Sequence, residues 1–101
     1  MAVLELCVIP IGTDNTSVSD YIAKAIQVLQ HHNIEFELNA MGTVMQGDID
    51  LLLKATREIQ ETIFNTGVKR VYSVIKIDDR RDRNVNMQDK VSSVEKKLSC
   101  L

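Results

Sequence analysis

Tryptophan is absent from this 101-residue chain, and two Tyr and two Phe are its whole aromatic complement. A core must therefore be built from Val, Ile, Leu and Met. There is one proline, Pro10, and it stands at the end of an apolar run, where it leaves a strand intact. No apolar run approaches the roughly 20 residues that a membrane-spanning helix needs. The first ten residues lack a basic leader region, and Glu5 interrupts their apolar stretch, so no targeting signal is read and a cytoplasmic location is expected. The two cysteines, Cys7 and Cys100, form no Cys-x-x-Cys pair and no cluster with a histidine. No metal and no cofactor is expected on that ground.

Charge of one sign is also missing. Twelve basic and 14 acidic residues leave a net charge of −2. A phosphate-tracking nucleic-acid binder would show a basic surplus, and a partner of anionic membranes would too. Neither partner is expected. A hydrophobic fraction of 45% is ordinary for a globular chain, and the length suits one domain over residues 1–101.

Val3 to Ile11 is rich in Val, Ile and Leu and reads as a central strand. Ser17 is placed as the N-cap of a first helix, with Asp20 as an imperfect capping-box acid. Val18, Tyr21, Ile22, Ala25, Ile26 and Leu29 follow at helical spacing, and Asn33 is a C-terminal stop. Ile34 to Gln46 then alternates, with Ile34, Phe36 and Leu38 on one side and Glu35, Glu37 and Asn39 on the other. This segment is too short to contain a crossover helix, so its two strands must be antiparallel. Asp48 caps a second helix carrying Ile49, Leu52, Ala55, Ile59 and Ile63 inward, and Gly67 ends it. Val68 to Asp78 reads as a fourth strand. A last helix carries Met87, Val91, Val94 and Leu98 on one stripe.

The order is strand, helix, strand, strand, helix, strand and a C-terminal helix. That is an α+β, ferredoxin-like βαββαβ sandwich: a four-stranded antiparallel sheet with two helices on one face. Two helices cover one face only. Some of Val3, Glu5, Cys7, Ile9, Tyr72 and Val74 must then be exposed, and an apolar sheet face on a small domain marks an interface. A homo-oligomer, dimer or tetramer, formed through this open face is expected.

Few residues invite chemistry. His31 and His32 are adjacent and point about 100° apart on a helix, so they are read as favourably placed at a helix C-terminus rather than as metal ligands. Asp78 to Arg83 sums to zero and reads as a self-paired loop. Gly12-Thr13 before the first helix is not a phosphate-binding loop. Glu37, Asn39 and Thr43 are the most interesting set. With Met41 at the centre of the turn, Asn39 faces Thr43 on the non-core side, and an acceptor, an amide and a hydroxyl converge. A two-residue turn at Ala40-Met41 would instead pair Leu38 with Thr43 and turn Thr43 inward. No nucleophile–base–orienter arrangement is present, which points to a binding or assembly protein and not an enzyme.

Four blocks in order carry a resemblance: Val8-Ile9-Pro10-Ile11-Gly12-Thr13, Met41 to Gly47, Ile75 to Asp82, and Met87 with Lys90 to Val94. Together they resemble the small thiamine-binding proteins, which are related to the two-repeat YkoF-like proteins. The resemblance implies a ferredoxin-like subunit that assembles into dimers and tetramers and binds thiamine, or its hydroxymethylpyrimidine portion, without catalysis. The family's Gly-Thr-x-x-Glu-Gly block is matched at Gly42, Thr43 and Gly47, with Gln46 in place of the acid. On this reading the ligand residues are Glu37, Asn39, Thr43 and Gln46. Glu37 would accept from the exocyclic amine, and Asn39 or Thr43 would donate to a ring nitrogen. The scarcity of aromatics predicts poor stacking and modest affinity. A structural or regulatory assembly module with no small-molecule ligand is the alternative.

Overall fold

A computed structural model describes residues 1–101. β1 (Ala2–Ile11), α1 (Ser19–His31), β2 (Glu35–Asn39), β3 (Gly42–Gly47), α2 (Ile49–Phe64), β4 (Arg70–Asp79) and α3 (Met87–Ser99) follow in chain order. The four strands form one sheet in the order β2-β3-β1-β4, and every neighbouring pair is antiparallel. This is the α+β ferredoxin-like arrangement expected from the pattern of elements.

Alternation along β1 sorts the sheet into two faces. Ala2, Leu4, Leu6 and Val8 are buried beneath α1 and α2 together with Leu29, Leu52, Ile59 and Ile63. Phe36 and Met45 from β2 and β3 complete this layer. Thr56 is the polar member of the buried side of α2, and its hydroxyl is satisfied by the Leu52 carbonyl four residues back, at 2.8 Å. Burial of this apolar layer is the main driving force of the fold.

The helix ends follow local chemistry, with one correction. Asp48 accepts from the Leu51 amide at the start of α2, and Gly67 takes a φ of 101° just past its end. Asn33 adopts the left-handed conformation after α1, φ 55°, and the Ile34 amide closes onto the Leu29 carbonyl as helix-terminating motifs do. Ser17 does not cap α1. The helix starts at Ser19 behind Val18 with no side-chain cap, and the Ser17 hydroxyl lies by that of Ser19 instead. Asp20 is left as a first-turn acid that suits the helix dipole.

α3 touches the body only through its first turn. Met87 is buried, whereas Val91, Val94 and Leu98 on the same stripe are more than half exposed. The helix therefore projects, and the long axis reaches 49 Å with a radius of gyration of 15.3 Å, against about 13 Å for a compact chain of this length. The sheet face opposite α1 and α2 is left largely open: Ile9, Tyr72 and Val74 are exposed there, with Val3, Glu5 and Cys7 half-buried. No helix is long and apolar enough to cross a membrane.

Candidate functional site

The turn between β2 and β3 decides which residues can act together. Leu38 pairs with Thr43, Asn39 with Gly42 and Glu37 with Val44. Ala40 and Met41 are thus a two-residue turn, and both have negative φ. The register in which Met41 is the centre and Asn39 faces Thr43 does not occur. Thr43 sits opposite Leu6 on the helix-facing side and is 7% exposed. Glu37 lies on the other side of the sheet. The four residues singled out in the sequence are therefore not gathered on one face. A one-residue change in register moves every side chain across the sheet.

Gln46 has a different setting. It faces the open side, is buried, and joins α3 to the sheet. Its Oε1 accepts from the Met87 amide at 2.8 Å. Its Nε2 donates to a Glu35 carboxylate oxygen and, at 3.2 Å, to Gln88 Oε1. Gln88 Nε2 in turn donates to the second Glu35 oxygen at 3.1 Å. Glu35, Gln46 and Gln88 form a closed ring of hydrogen bonds that carries the first turn of α3. Asn86 and Asp89 close the end of that helix as a capping box, and Lys90 pairs with Asp78. Glu35 and Gln88 were not visible as partners in the sequence. The pairing Glu35↔Gln46 follows only once the two-residue turn is known.

A cavity of about 200 Å³ lies between the hairpin tip, the first half of α1 and the end of β1. Leu6, Val8, Val18, Ile22 and Met41 supply much of its apolar wall, and Thr43 and Asn39 are the polar residues along it. The Thr43 hydroxyl makes no hydrogen bond within the fold, and the residue is 7% exposed. Gly42 lets the hairpin close against β1, since a Cβ there would lie 3.3 Å from the Leu6 carbonyl oxygen. α1 begins beside this cavity, where Val18 precedes it without a side-chain cap.

The remaining charged residues lie away from the cavity. His32 Nε2 and Glu58 Oε2 meet at 2.8 Å and tie the end of α1 to α2. That hydrogen bond holds the Glu58 carboxyl below its usual value. The Asp78–Arg83 segment is self-paired only in part: Arg80 grips Asp82 through two hydrogen bonds and Arg81 reaches Asp79, while Asp78 pairs with Lys90 of α3. The Arg80 guanidinium lowers the Asp82 carboxyl to about 2.

Known proteins align with this chain over most of its length. A UPF0045 protein of Methanothermobacter thermautotrophicus is 42% identical over 99 residues, spanning 97% of this chain and all of its own. The UPF0045 protein YqgV of Bacillus subtilis is 36% identical, across 97% of this chain and 98% of its own. The crystal structure of hypothetical protein MJ1052 from Methanocaldococcus jannaschii superposes with a TM-score of 0.85 at 41% identity, covering 93% of this chain and 95% of its own. A Thermotoga maritima protein proposed to act in thiamine biosynthesis or salvage shares the fold, with a TM-score of 0.76 at 17% identity over 92% of this chain and 97% of its own. The family model described as "Thiamine-binding protein" matches residues 4–95, which takes in β1, the cavity and the first turns of α3. On that match, this chain belongs to the thiamine-binding protein family.

Proposed function

We propose that the protein is a non-enzymatic cytoplasmic binder of thiamine or its hydroxymethylpyrimidine moiety, with residues 1–101 acting as one binding unit within a homo-oligomer. The observation that carries the reading is the cavity behind the hairpin, whose apolar wall is broken by the uncommitted hydroxyl of a nearly buried Thr43. In this reading Thr43 addresses the pyrimidine's polar atoms, while Asn39 stands on the opposite face of the hairpin with Glu37. Glu37 faces away across the sheet, and Gln46 is occupied in holding α3. The methyl-bearing edge of the ring lies against Leu6, Val8 and Ile22.

Calorimetry with thiamine and with hydroxymethylpyrimidine tests this. Saturable heat is expected for at least one of them. Thr43→Val keeps the side-chain shape and removes the hydroxyl, so it should weaken binding by roughly three- to tenfold, the worth of one neutral hydrogen bond. Neither heat nor a thermal shift with either compound would refute the proposal.

A second reading, an assembly module without a ligand, draws on the open face and on the α3 stripe. Val91, Val94 and Leu98 at more than half exposure form a surface that a neighbouring copy would cover. The two readings separate at Val94→Glu. A ligand-binding oligomer loses mass by light scattering yet retains the heat of binding, whereas a pure assembly module shows no such heat.

A further inference from the structure

Pro10 stands in a strand with neighbours on both sides, which a proline tolerates only where its missing N–H is not needed. The pairing of β1 shows why it is not needed. β1 pairs with β4 along its whole length, from Ala2 to Ile11, but with β3 only from Ala2 to Leu6. Beyond Leu6 the hairpin has turned back, and the flank of β1 on that side carries no strand. Backbone groups alternate between the two flanks of a strand. Asn39 and Gly42 close the two-residue turn on each other, so Thr43, the next residue, points its amide and carbonyl toward Leu6. Leu6, Val8 and Pro10 therefore address the hairpin flank, while Cys7, Ile9 and Ile11 address β4.

Val8 is left with an N–H and a C=O that have no partner. No backbone bond joins it to the turn residues Ala40 and Met41, and the ladder to β3 has already ended. Val8 is nonetheless 5% exposed, and it belongs to the wall of the cavity behind the hairpin. Backbone groups buried so deeply are nearly always bonded to something. The nearly buried Thr43, whose hydroxyl is also without a partner, lines the same cavity. An added strand does not suit the gap. Pro10, the next residue to address this flank, has no N–H to offer it. The cavity, at about 200 Å³, is also smaller than the roughly 300 Å³ at which drug-sized sites begin. A single ring with small substituents suits it better.

We infer that Val8 reads the ligand with its main chain: a planar ring carrying an N–H donor beside a ring acceptor bonds to the Val8 carbonyl and amide as a paired strand residue would. The contact presupposes the pyrimidine ligand proposed above and narrows it to the 4-amino compounds. The exocyclic amine donates to the Val8 carbonyl, and the adjacent ring nitrogen accepts from the Val8 amide. The ring then lies in the line of β3 past the hairpin tip, with Val18 and Ile22 on its helix side. The Thr43 hydroxyl is left for a second polar atom of the same ring. No carboxylate is needed to hold the amine, in keeping with a cavity wall that has no charged side chain.

Calorimetry with three ring compounds tests the edge. Hydroxymethylpyrimidine with its 4-amino group is the reference. The analogue lacking the amine leaves the Val8 carbonyl buried without a partner and should bind at least tenfold more weakly. The analogue lacking the 2-methyl group keeps the edge and gives up one apolar contact, so it should lose only about fourfold. Amide exchange on the unaltered protein supplies the second measurement. Saturation with the reference compound should slow exchange of the Val8 amide by tenfold or more and leave Cys7 and Ile9, already bonded to β4, unchanged. Val8→Pro deletes the N–H as Pro10 already does on that flank. If it keeps the far-ultraviolet circular dichroism of wild type, it should bind the reference at least tenfold more weakly. An analogue without the amine that binds as well as the reference, or a Val8 amide indifferent to saturation, would overturn the backbone contact while leaving pyrimidine binding intact. No heat from any of the three would overturn both.

Discussion

The two faces of the one sheet are built from the same strands and have opposite fates. On the helix side of β1, Leu4 is wholly buried, whereas Ile9, on the other side of the same strand, is 42% exposed. On β4 the apolar residues Tyr72 and Val74 look outward from a face that the chain itself does not cover. Alternation creates both faces, but only the presence of α1 and α2 makes one of them a core. The covered face holds the molecule together, and the uncovered one contributes little to holding the subunit together.

The largest effect should come from carving into the covered face. Ile59→Ala removes a side chain that packs beneath the sheet with 1% exposure, and it should cost about 3 kcal/mol of unfolding free energy by chemical denaturation. Tyr72→Ser on the uncovered face should change the stability of the isolated subunit by less than about 0.5 kcal/mol. Similar losses from the two would erase the distinction between the faces.

A smaller effect is expected where α3 meets the open side. Gln46→Glu replaces an amide that donates to Glu35 with a second carboxylate. Two carboxylates so close disfavour double ionisation and raise an apparent pKa. The variant should therefore be less stable than wild type near neutral pH by about 1–2 kcal/mol, a buried charged contact broken. The deficit should shrink as pH falls and one carboxyl takes up a proton. Thermal melts across pH check this, and a constant deficit at all pH values would remove Glu35 as the partner.

The smallest expected effect lies between the helices. Glu58 accepts from His32, and its carboxyl titrates below the usual value of 4.5 because of that hydrogen bond. Its contribution to stability is thus complete above the ordinary carboxylate range and is lost as pH falls through the lowered value. Carbon-detected titration of Glu58 should show the low midpoint, and His32→Phe should return it to the ordinary range.

The architecture is legible in the sequence because its signals are local and repeat. Val18 to Leu29 and Ile49 to Ile63 show helical periodicity, β1 and β4 alternate, and the Ile34–Gly47 stretch is too short for a crossover. Local signals failed at Ser17, since a polar residue at the right offset caps a helix only if the chain enters there, and the helix begins two residues later. They failed again at the hairpin. The pattern Glu37, Asn39, Thr43 is equally compatible with two turn lengths, and the difference is one residue.

By itself the sequence determined which elements form, their order, their antiparallel pairing and the apolar stripe of each helix. These depend on side-chain period and on the reach of the chain between elements. The tertiary structure decided the register at Ala40-Met41, and with it the face on which Thr43 stands. β3 is clamped between β2 and β1, and the pairing of Thr43 with Leu6 and of Met45 with Leu4 buries both beneath the helices. Packing against a third strand selects between two turns that are locally alike, which no stretch of fourteen residues can do alone. The same selection sends Gln46 to the opposite face, where α3 meets it.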